Sequence, residues 1–283
     1  MINWVYWVKW VIIDTFAILF LSLLYTKGKE RFVQEEPSHV PRIVHQIITT
    51  PAYSCYEDIP SCIQHVIETN KFENPKYDFR LYTDDNIKSY LTKNVPDYIL
   101  NAYNLINPLC GAGKADFFRY IVLYYEGGVY IDLKMDIAKT LESWVQEDPD
   151  TLKITLLPWL AQHTLDSHWP DGHKPNSEHR EMCIGAMVYP KKHWVLKLVI
   201  DEMIKVINEI HTTGIQDPPG LLAITGPFLY TSVVAPQLPN LKYKLYEKGF
   251  YDDYITTSAI DCYYKDHSDK KVRWDESKIK IIL

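Results

Sequence analysis

The sequence predicts an α/β fold, and three observations support this class. The run 41–48 is short, apolar and rich in β-branched residues, which is typical of a buried strand. After it, segments of strand composition alternate with segments of helical periodicity. At the centre, residues 110–140 combine a glycine turn, an amphipathic helix, a Gly-Gly stop and a short strand. Such alternation indicates a parallel or mixed sheet covered by helices on both sides.

Local patterns predict each element in turn. In the central helix, which begins at Lys114, apolar residues recur at helical spacing, and glycines end it because they adopt left-handed conformations without steric cost. The predicted elements, in chain order, are a strand at 41–48, a helix at 60–70, a strand at 77–82, helices from Asp84 and at 97–104, the central helix, strands at 129–131, 154–160 and 183–189, a helix at 194–211 and a short helix at 228–234.

The N-terminal region is predicted to be a hydrophobic helix, residues 1–26, which we interpret as a membrane anchor. A spanning helix needs ~20 mostly apolar residues, and residues 4–25 have that length, with aromatic residues at both ends. Lys9 and Asp14 interrupt the stretch, so a helix packed on the domain or lying in the interface is the alternative. Residues 27–40 are predicted to be a linker and residues 41–283 one large domain.

Composition narrows the function and the compartment. The net charge of −6 gives no basic footprint for nucleic acid. The five cysteines show no CxxC and no metal-ligand spacing. A disulfide between Cys55 and Cys62 and free buried thiols both remain open. The segment 163–180 contains four histidines at spacings that share no helical face, and it is predicted to be a solvated loop.

Two groups of charged residues flank the Gly-Gly stop. Asp116 and Arg119 are three residues apart and share a helix face, either to bind a ligand or simply to pair with each other. Asp132, Lys134 and Asp136 follow the predicted strand at a period of two, so an extended chain would point them the same way. The carboxylates could hold Mg²⁺ or Mn²⁺ and through it a diphosphate, or form a solvated strand edge. Lys134 competes with a metal and could instead pair with a phosphate directly.

Three segments together resemble the glycosyltransferase family 32 enzymes, relatives of fungal and bacterial mannosyl- and galactosyltransferases and of clostridial glucosylating toxins. They are the strand PRIVHQI, the core KADFFRYIVLYYEGGVYIDLKMD and the later Thr-Gly-Pro at 225–227. The resemblance covers about residues 40–235. It implies a GT-A fold, in which a Rossmann-like mixed sheet flanked by helices binds a sugar nucleotide, and a divalent ion (Mn²⁺ or Mg²⁺) bridges an Asp-x-Asp motif and the diphosphate.

The resemblance also implies roles for individual residues. Asp116 and Arg119 take the positions that contact the donor sugar. Asp132 takes the position of the first Asp of the motif, and Lys134 stands where the second is expected, so these two are the candidate catalytic residues. Asp136 is the candidate second metal ligand beside Asp132. The further candidates for donor binding are His45, Tyr130, His267 and Trp274; for His45 a hydrogen-bonded core position is the alternative.

The predicted function is transfer of a hexose from a nucleotide-sugar donor, a UDP- or GDP-hexose, to a glycan or lipid acceptor with retention of anomeric configuration. The alternative is a GT-A-like protein that has lost metal-dependent transfer and binds a sugar nucleotide or glycan. The resemblance implies a single-pass membrane protein facing the Golgi or ER lumen. Basic residues after the hydrophobic stretch leave a cytoplasmic orientation open.

Overall fold

The computed structural model describes residues 39–49, 55–146, 148, 151–155, 181–215, 220–246, 254–256 and 280–283. The strands in these ranges are β1 (Ile43–Ile48), β2 (Asp78–Thr83), β3 (Gly128–Ile131), β4 (Asp136–Ile137), β5 (Leu152–Thr155), β6 (Ala186–Tyr189), β7 (Tyr243–Tyr246) and β8 (Ile255–Thr256). The α-helices are α1 (Ser61–Glu73), α2 (Asp84–Asn94), α3 (Asp97–Leu105), α4 (Gly111–Glu126), α5 (Trp194–Thr213), α6 (Leu221–Ile224) and α7 (Pro227–Val234).

A four-stranded mixed sheet organises these elements, with the strand order β2-β1-β3-β6. Strand β1 pairs in parallel with β2 and with β3, and β6 runs antiparallel to β3. Two smaller pairings, β4 with β8 and β5 with β7, stand beside this sheet. The predicted α/β class with a mixed sheet is therefore confirmed.

Both faces of the sheet are buried, as the apolar strands predict. Along β3, Val129 and Ile131 pack with Val44 on one face, whereas Tyr130 joins the larger hydrophobic cluster on the other. That larger cluster is built from α4, α5 and the segment after α5. Alternate residues of a strand point to opposite faces, so a strand enclosed by two clusters must be apolar throughout.

The order of the strands creates a crevice at one edge of the sheet. The chain passes from β1 to β2 on one side and then returns to β3 on the other side of β1. In open α/β sheets, ligands bind outside the carboxyl ends of the strands at such a reversal. Thr49, Asp84 and Asp132 each follow directly after one of the three parallel strands, so they share this edge.

Two buried asparagines, Asn70 in α1 and Asn74 directly after it, hold the chain that leaves β3. The side-chain amide of Asn70 donates to the Met135 carbonyl at 3.0 Å, and its oxygen accepts from the Ile137 amide at 2.9 Å. The oxygen of Asn74 accepts from the Leu141 amide at 2.7 Å. Side chains therefore replace the ladder partners that this segment would have in a longer strand.

Most predicted element boundaries agree with the structure to within a few residues. Helix α4 begins at Gly111 rather than Lys114, so the predicted glycine turn is wrong and its glycines belong to the helix. The short elements β4, α6 and β8 were not predicted. Strand β5 begins at Leu152 rather than Ile154, and residues 156–160 lie outside the described residues. Strand β7 lies in the aromatic and charged tail, for which no strand was predicted. The predicted N-terminal helix and the loop 163–180 also lie outside the described residues.

A second apolar stretch and one disulfide complete the fold. Among the described residues, Leu221–Asn240 is the one stretch long and apolar enough to cross a membrane, and 67% of its apolar window is buried within the fold. Cys62 is disulfide-bonded, whereas Cys55, Cys110 and Cys183 have free thiols. The proposed pairing of Cys55 with Cys62 is therefore wrong.

The Gly-Gly stop is confirmed, and its second glycine gives a testable prediction. Gly128 has φ +105°, and a Cβ there would lie 2.5 Å from the Ile43 carbonyl oxygen in β1. This oxygen belongs to the sheet backbone and cannot move freely. We expect Gly128→Ala to lower the free energy of unfolding by roughly 3 kcal/mol or more, measured by urea denaturation.

The matched control is Gly214→Ala at the end of α5. Gly214 has φ +60°, and a Cβ at this position would have no atom within 4 Å, so the control isolates the conformational cost. That cost is about 1–2 kcal/mol. Equal losses for the two variants would contradict the steric argument at Gly128.

Candidate functional site

Four charged side chains meet at the carboxyl end of β3, and we call them the charged cluster: Asp116, Arg119, Asp132 and Lys134. The Arg119 guanidinium lies 2.8 Å from Asp116 Oδ1 and 3.6 Å from Asp132 Oδ1. The Lys134 ammonium lies 3.8 Å from Asp132 Oδ2. The predicted proximity of Asp116 and Arg119 is therefore confirmed, and the cluster alternates acidic and basic groups.

Helix α4 and strand β3 together fix the position of Arg119. The Arg119 guanidinium donates to the Ile184 carbonyl at 2.7 Å and lies 4.4 Å from the centroid of the Tyr130 ring. The Tyr130 hydroxyl donates to Asp132 Oδ1 at 2.7 Å. Tyr130 thus supports the arginine with its ring and orients Asp132 with its hydroxyl. The structure places this predicted donor-binding residue within the cluster.

Burial dominates the electrostatics of the pair on α4. Asp116 is 7% exposed and Arg119 6% exposed. Burial raises the pKa of the Asp116 carboxyl to about 7, although the neighbouring Arg119 lowers it. Burial lowers the pKa of Arg119, but Tyr130 and the two aspartates outweigh this, so its pKa is raised overall and it stays charged. The site therefore holds a fixed positive charge in a largely water-excluded position.

The prediction that Asp132, Lys134 and Asp136 project from one side of an extended chain is wrong. The backbone turns directly after Asp132, where the Met135 amide donates to the Asp132 carbonyl at 3.0 Å. Lys134 lies in this turn, and Asp136 begins β4, where its charged neighbours are His65 and Glu73. Asn70 of α1 binds the backbone on both sides of Asp136. These two bonds explain why the chain turns away from the cluster. Asp136 lies apart from the charged cluster.

The side chains around Asp132 do not fit a divalent metal ion that is held by two carboxylates. Asp132 Oδ1 faces the Tyr130 hydroxyl and Arg119, and Oδ2 faces Lys134. Within the described part of the chain, no group of three or more His, Cys, Asp or Glu residues is arranged to hold a metal. Ammonium and guanidinium groups instead occupy the positions beside Asp132 that a cation would take.

The other predicted donor-binding residues have different outcomes. His45 is fully buried in β1, where its Nε2 contacts the Gly127 carbonyl at 2.8 Å and its Nδ1 contacts the Tyr82 hydroxyl at 3.1 Å. Burial lowers its pKa to about 4, so it is neutral. This geometry favours the core-histidine alternative, since both ring nitrogens have partners. His267 and Trp274 lie outside the described residues.

The segment 181–185 forms a wall of the site that the sequence patterns do not identify. Besides accepting from Arg119, it accepts the Asp132 amide at the Gly185 carbonyl, at 2.8 Å. A Cβ at Gly185 would lie 3.1 Å from Asp132 Oδ2, so the backbone approaches this carboxylate closely. Glu181 opens the segment and is 6% exposed. Burial, followed by the charge of Asp116, raises the pKa of Glu181 to about 8.

Sequence reasoning missed Glu181 because a single glutamate before an apolar strand has no distinguishing pattern. The run 182–189 after it is buried throughout. A charged residue directly adjoining such a run was the one available signal. That signal does not distinguish a solvated strand end from a buried carboxyl.

Comparison with known proteins identifies the central region. Residues 60–150 match the family model described as "Glycosyltransferase sugar-binding region containing DXD motif". The match contains all four members of the charged cluster and confirms the predicted family resemblance. Residues 60–150 are therefore similar to the sugar-binding region of DXD-type glycosyltransferases.

Individual relatives point to the same class. "Inositol phosphoceramide mannosyltransferase 1" of Schizosaccharomyces pombe is 28% identical over 114 residues, which are 38% of this chain and 32% of the relative. "Initiation-specific alpha-1,6-mannosyltransferase" of the same yeast is 24% identical over 216 residues, 69% of this chain and 54% of the relative. The chain thus spans about a third to a half of these relatives.

A solved structure, "PaToxG Glycosyltransferase", is 14% identical, with a TM-score of 0.48 and coverage of 71% of each chain. At this TM-score the likeness does not establish a shared fold.

The buried carboxyl of Glu181 generates a prediction about pH and stability. Its pKa in the folded state lies above the ordinary 4.5, so this group contributes stability below pH 4.5 that is lost as pH rises through about 8. Glu181→Gln has no such proton to lose. We expect its unfolding free energy, relative to wild type, to rise between about pH 5 and pH 8, by roughly 5 kcal/mol at most.

Urea denaturation across that pH range measures the difference. Asp116 also has a raised pKa and its charge acts on Glu181, so the difference between the two profiles reports the titration of Glu181 together with its coupling to Asp116. Glu209→Gln on the exposed face of α5 is the matched control, and it should follow wild type. Parallel pH profiles for Glu181→Gln and wild type would contradict the prediction.

Proposed function

We propose that the chain is a glycosyltransferase that moves a hexose from a nucleotide-sugar donor to a glycan or lipid acceptor. The observation that carries this proposal is the position of the charged cluster. All of its members fall inside the matched sugar-binding region and at the carboxyl edge of the sheet. A buried arginine and aspartate beside a more accessible aspartate and lysine suit a ligand that is part sugar and part diphosphate.

Within this proposal the domain 41–283 adopts a GT-A arrangement with the donor in the crevice beside β1 and β3. Asp116 and Arg119 hold the sugar hydroxyls, and their rigid support by Tyr130 and the Ile184 carbonyl fixes the orientation of the reacting carbon. Since Asp116 and Arg119 are already held in place, little reorganisation of these two residues accompanies binding.

The proposed chemistry proceeds with retention of configuration. The acceptor hydroxyl forms its bond to the anomeric carbon on the face from which the nucleoside diphosphate leaves, and the bond from that carbon to the diphosphate oxygen breaks. The departing phosphate takes the proton of the hydroxyl. The contribution of the chain is electrostatic, because negative charge builds on the leaving diphosphate and positive groups beside it stabilise that charge.

Lys134 is the proposed source of that positive charge. Divalent metal use is typical for enzymes with an Asp-x-Asp motif, yet here Asp132 is the single carboxylate of the motif and an ammonium occupies the second position. The Lys134 side chain is 21% exposed, so it can turn from Asp132 to a phosphate at the mouth of the site. A lysine acts as a point charge on phosphate without a metal.

The relatives support the proposed classes of donor and acceptor. The disulfide bond supports the proposed compartment. The names of the two yeast relatives support mannose as the first sugar to test, and the name of the first supports an inositol phosphoceramide as an acceptor to test. The disulfide at Cys62 supports an oxidising compartment. We therefore propose a luminal domain tethered to a membrane by the hydrophobic segment 1–26.

A donor screen tests the proposed function. The full chain is incubated with GDP-mannose, UDP-glucose and related donors, and binding and release of the nucleoside diphosphate are measured. We expect one donor class to bind and turn over. Asp116→Asn should lower kcat/KM by at least ~100-fold, because the cluster loses a fixed sugar contact.

Asp97→Asn, at an exposed position at the start of α3, is the matched control and should retain activity. Binding without turnover would favour a sugar-nucleotide-binding protein instead. The absence of both would contradict the proposed function.

Lys134 variants test how the diphosphate charge is neutralised. Lys134→Ala should lower kcat by at least ~10-fold and leave the donor Kd less affected, because the charge is needed mainly as the diphosphate departs. Wild-type activity should persist in EDTA, whereas Lys134→Asp should depend on added Mn²⁺.

Lys88→Ala on the exposed face of α2 is the control for loss of one positive charge. Wild-type activity that is abolished by EDTA and restored by Mn²⁺ would refute the role assigned to Lys134.

A further inference from the structure

A carboxyl group beside the charged cluster has no role in the function proposed so far. Glu181 lies at the start of the wall segment 181–185 and is 6% exposed. Its Oε2 atom is fully buried and makes no hydrogen bond with any of the described residues. Buried polar groups in folded proteins nearly always have a partner, so an isolated carboxyl oxygen needs an explanation.

The backbone next to Glu181 is anchored to α7, and a residue just before α7 contacts the sugar-holding pair. The amide of the next residue, Met182, donates to the Thr231 hydroxyl on α7 at 2.9 Å. Thr225, just before α7, places its hydroxyl 3.5 Å from Asp116 Oδ2. The charge of Asp116 acts on Glu181, and that of Glu181 acts on Tyr120 of α4. The glutamate therefore lies on the wall of the site, close to Asp116.

The neighbourhood explains what this carboxyl can recognise. A negative charge would be unfavourable beside Asp116 in a buried position, and the raised pKa keeps the group protonated at neutral pH. A neutral carboxyl both donates and accepts a hydrogen bond. A sugar hydroxyl does the same, so one hydroxyl satisfies the group without bringing a charge into the site.

We propose that Glu181 is a specificity-determining residue that hydrogen-bonds a hydroxyl of the donor sugar. The inference rests on the proposed function and deepens it. It assigns recognition of one sugar hydroxyl to the wall segment. The unsatisfied oxygen of the free protein is then satisfied in the complex. An epimer whose hydroxyl points elsewhere leaves this oxygen unpaired and binds less well.

The test compares each nucleotide with its own sugar conjugate. Isothermal titration of the full chain measures Kd for GDP against GDP-mannose and for UDP against UDP-glucose. For the pair that binds wild type, Glu181→Leu should weaken the nucleotide sugar by ~10-fold or more and leave the bare nucleotide unchanged. Glu181→Gln keeps a donor and an acceptor, so it should restore most of the loss. Glu209→Gln is the matched control.

The possible outcomes distinguish failure of the inference about Glu181 from failure of the proposed function. Equal weakening of the nucleotide and its sugar conjugate in Glu181→Leu would indicate a structural role and overturn the inference, as would unchanged binding of both. If the leucine variant does not fold, the ratio of kcat/KM for GDP-mannose to that for GDP-glucose is compared between wild type and Glu181→Met, whose side chain has a similar length but no group that donates a hydrogen bond. An unchanged ratio would then overturn it. Wild type that binds no nucleotide sugar would instead reject the proposed function itself.

Discussion

The site depends on one buried arginine. Arg119 touches a carboxylate of its own helix, a carboxylate at the end of β3, the face of Tyr130 and the carbonyl of Ile184. A buried charge is costly unless it is paired and hydrogen-bonded. Four neighbours from three segments surround the guanidinium, although its Nε has no hydrogen-bond partner among the described residues. Removing any one of them would leave part of the guanidinium uncompensated. Helix α4, strand β3 and the segment before β6 are therefore held in one arrangement by a single side chain.

Local patterns were sufficient for most of the fold and for half of the site. The positions of α4, the Gly-Gly stop and the pairing of Asp116 with Arg119 follow from helical spacing and from the properties of glycine. The turn after Asp132 does not follow, because it is imposed by Asn70 on α1, about sixty residues earlier in the chain. Strand β7 was missed for a similar reason: its residues 243–245 are exposed, and its partner β5 is distant in sequence. Glu181 was missed because burial of a lone carboxyl is decided by tertiary packing.

Lys134 in the motif changes the source of the positive charge in the site. A divalent ion contributes charge that can be lost to solvent or exchanged, whereas a lysine is covalently part of the chain and is always present. Its strength is lower, since one positive charge stands where two would be, and Arg119 adds its own charge nearby. Under the proposed function, such a site binds a diphosphate more weakly but does not depend on the supply of metal.

Asn70 and Asn74 support the site without belonging to the charged cluster. Asn70 lies on α1 and Asn74 directly follows it, and neither contributes a group to the charged cluster. Their side-chain amides nevertheless hold the backbone that follows Lys134. A substitution at either position would leave every member of the charged cluster intact and still move Lys134 relative to Asp132. In a collection of inactive variants, changes at these two positions should therefore be classed with those of the active site, even though a map of ligand contacts would place them in the scaffold.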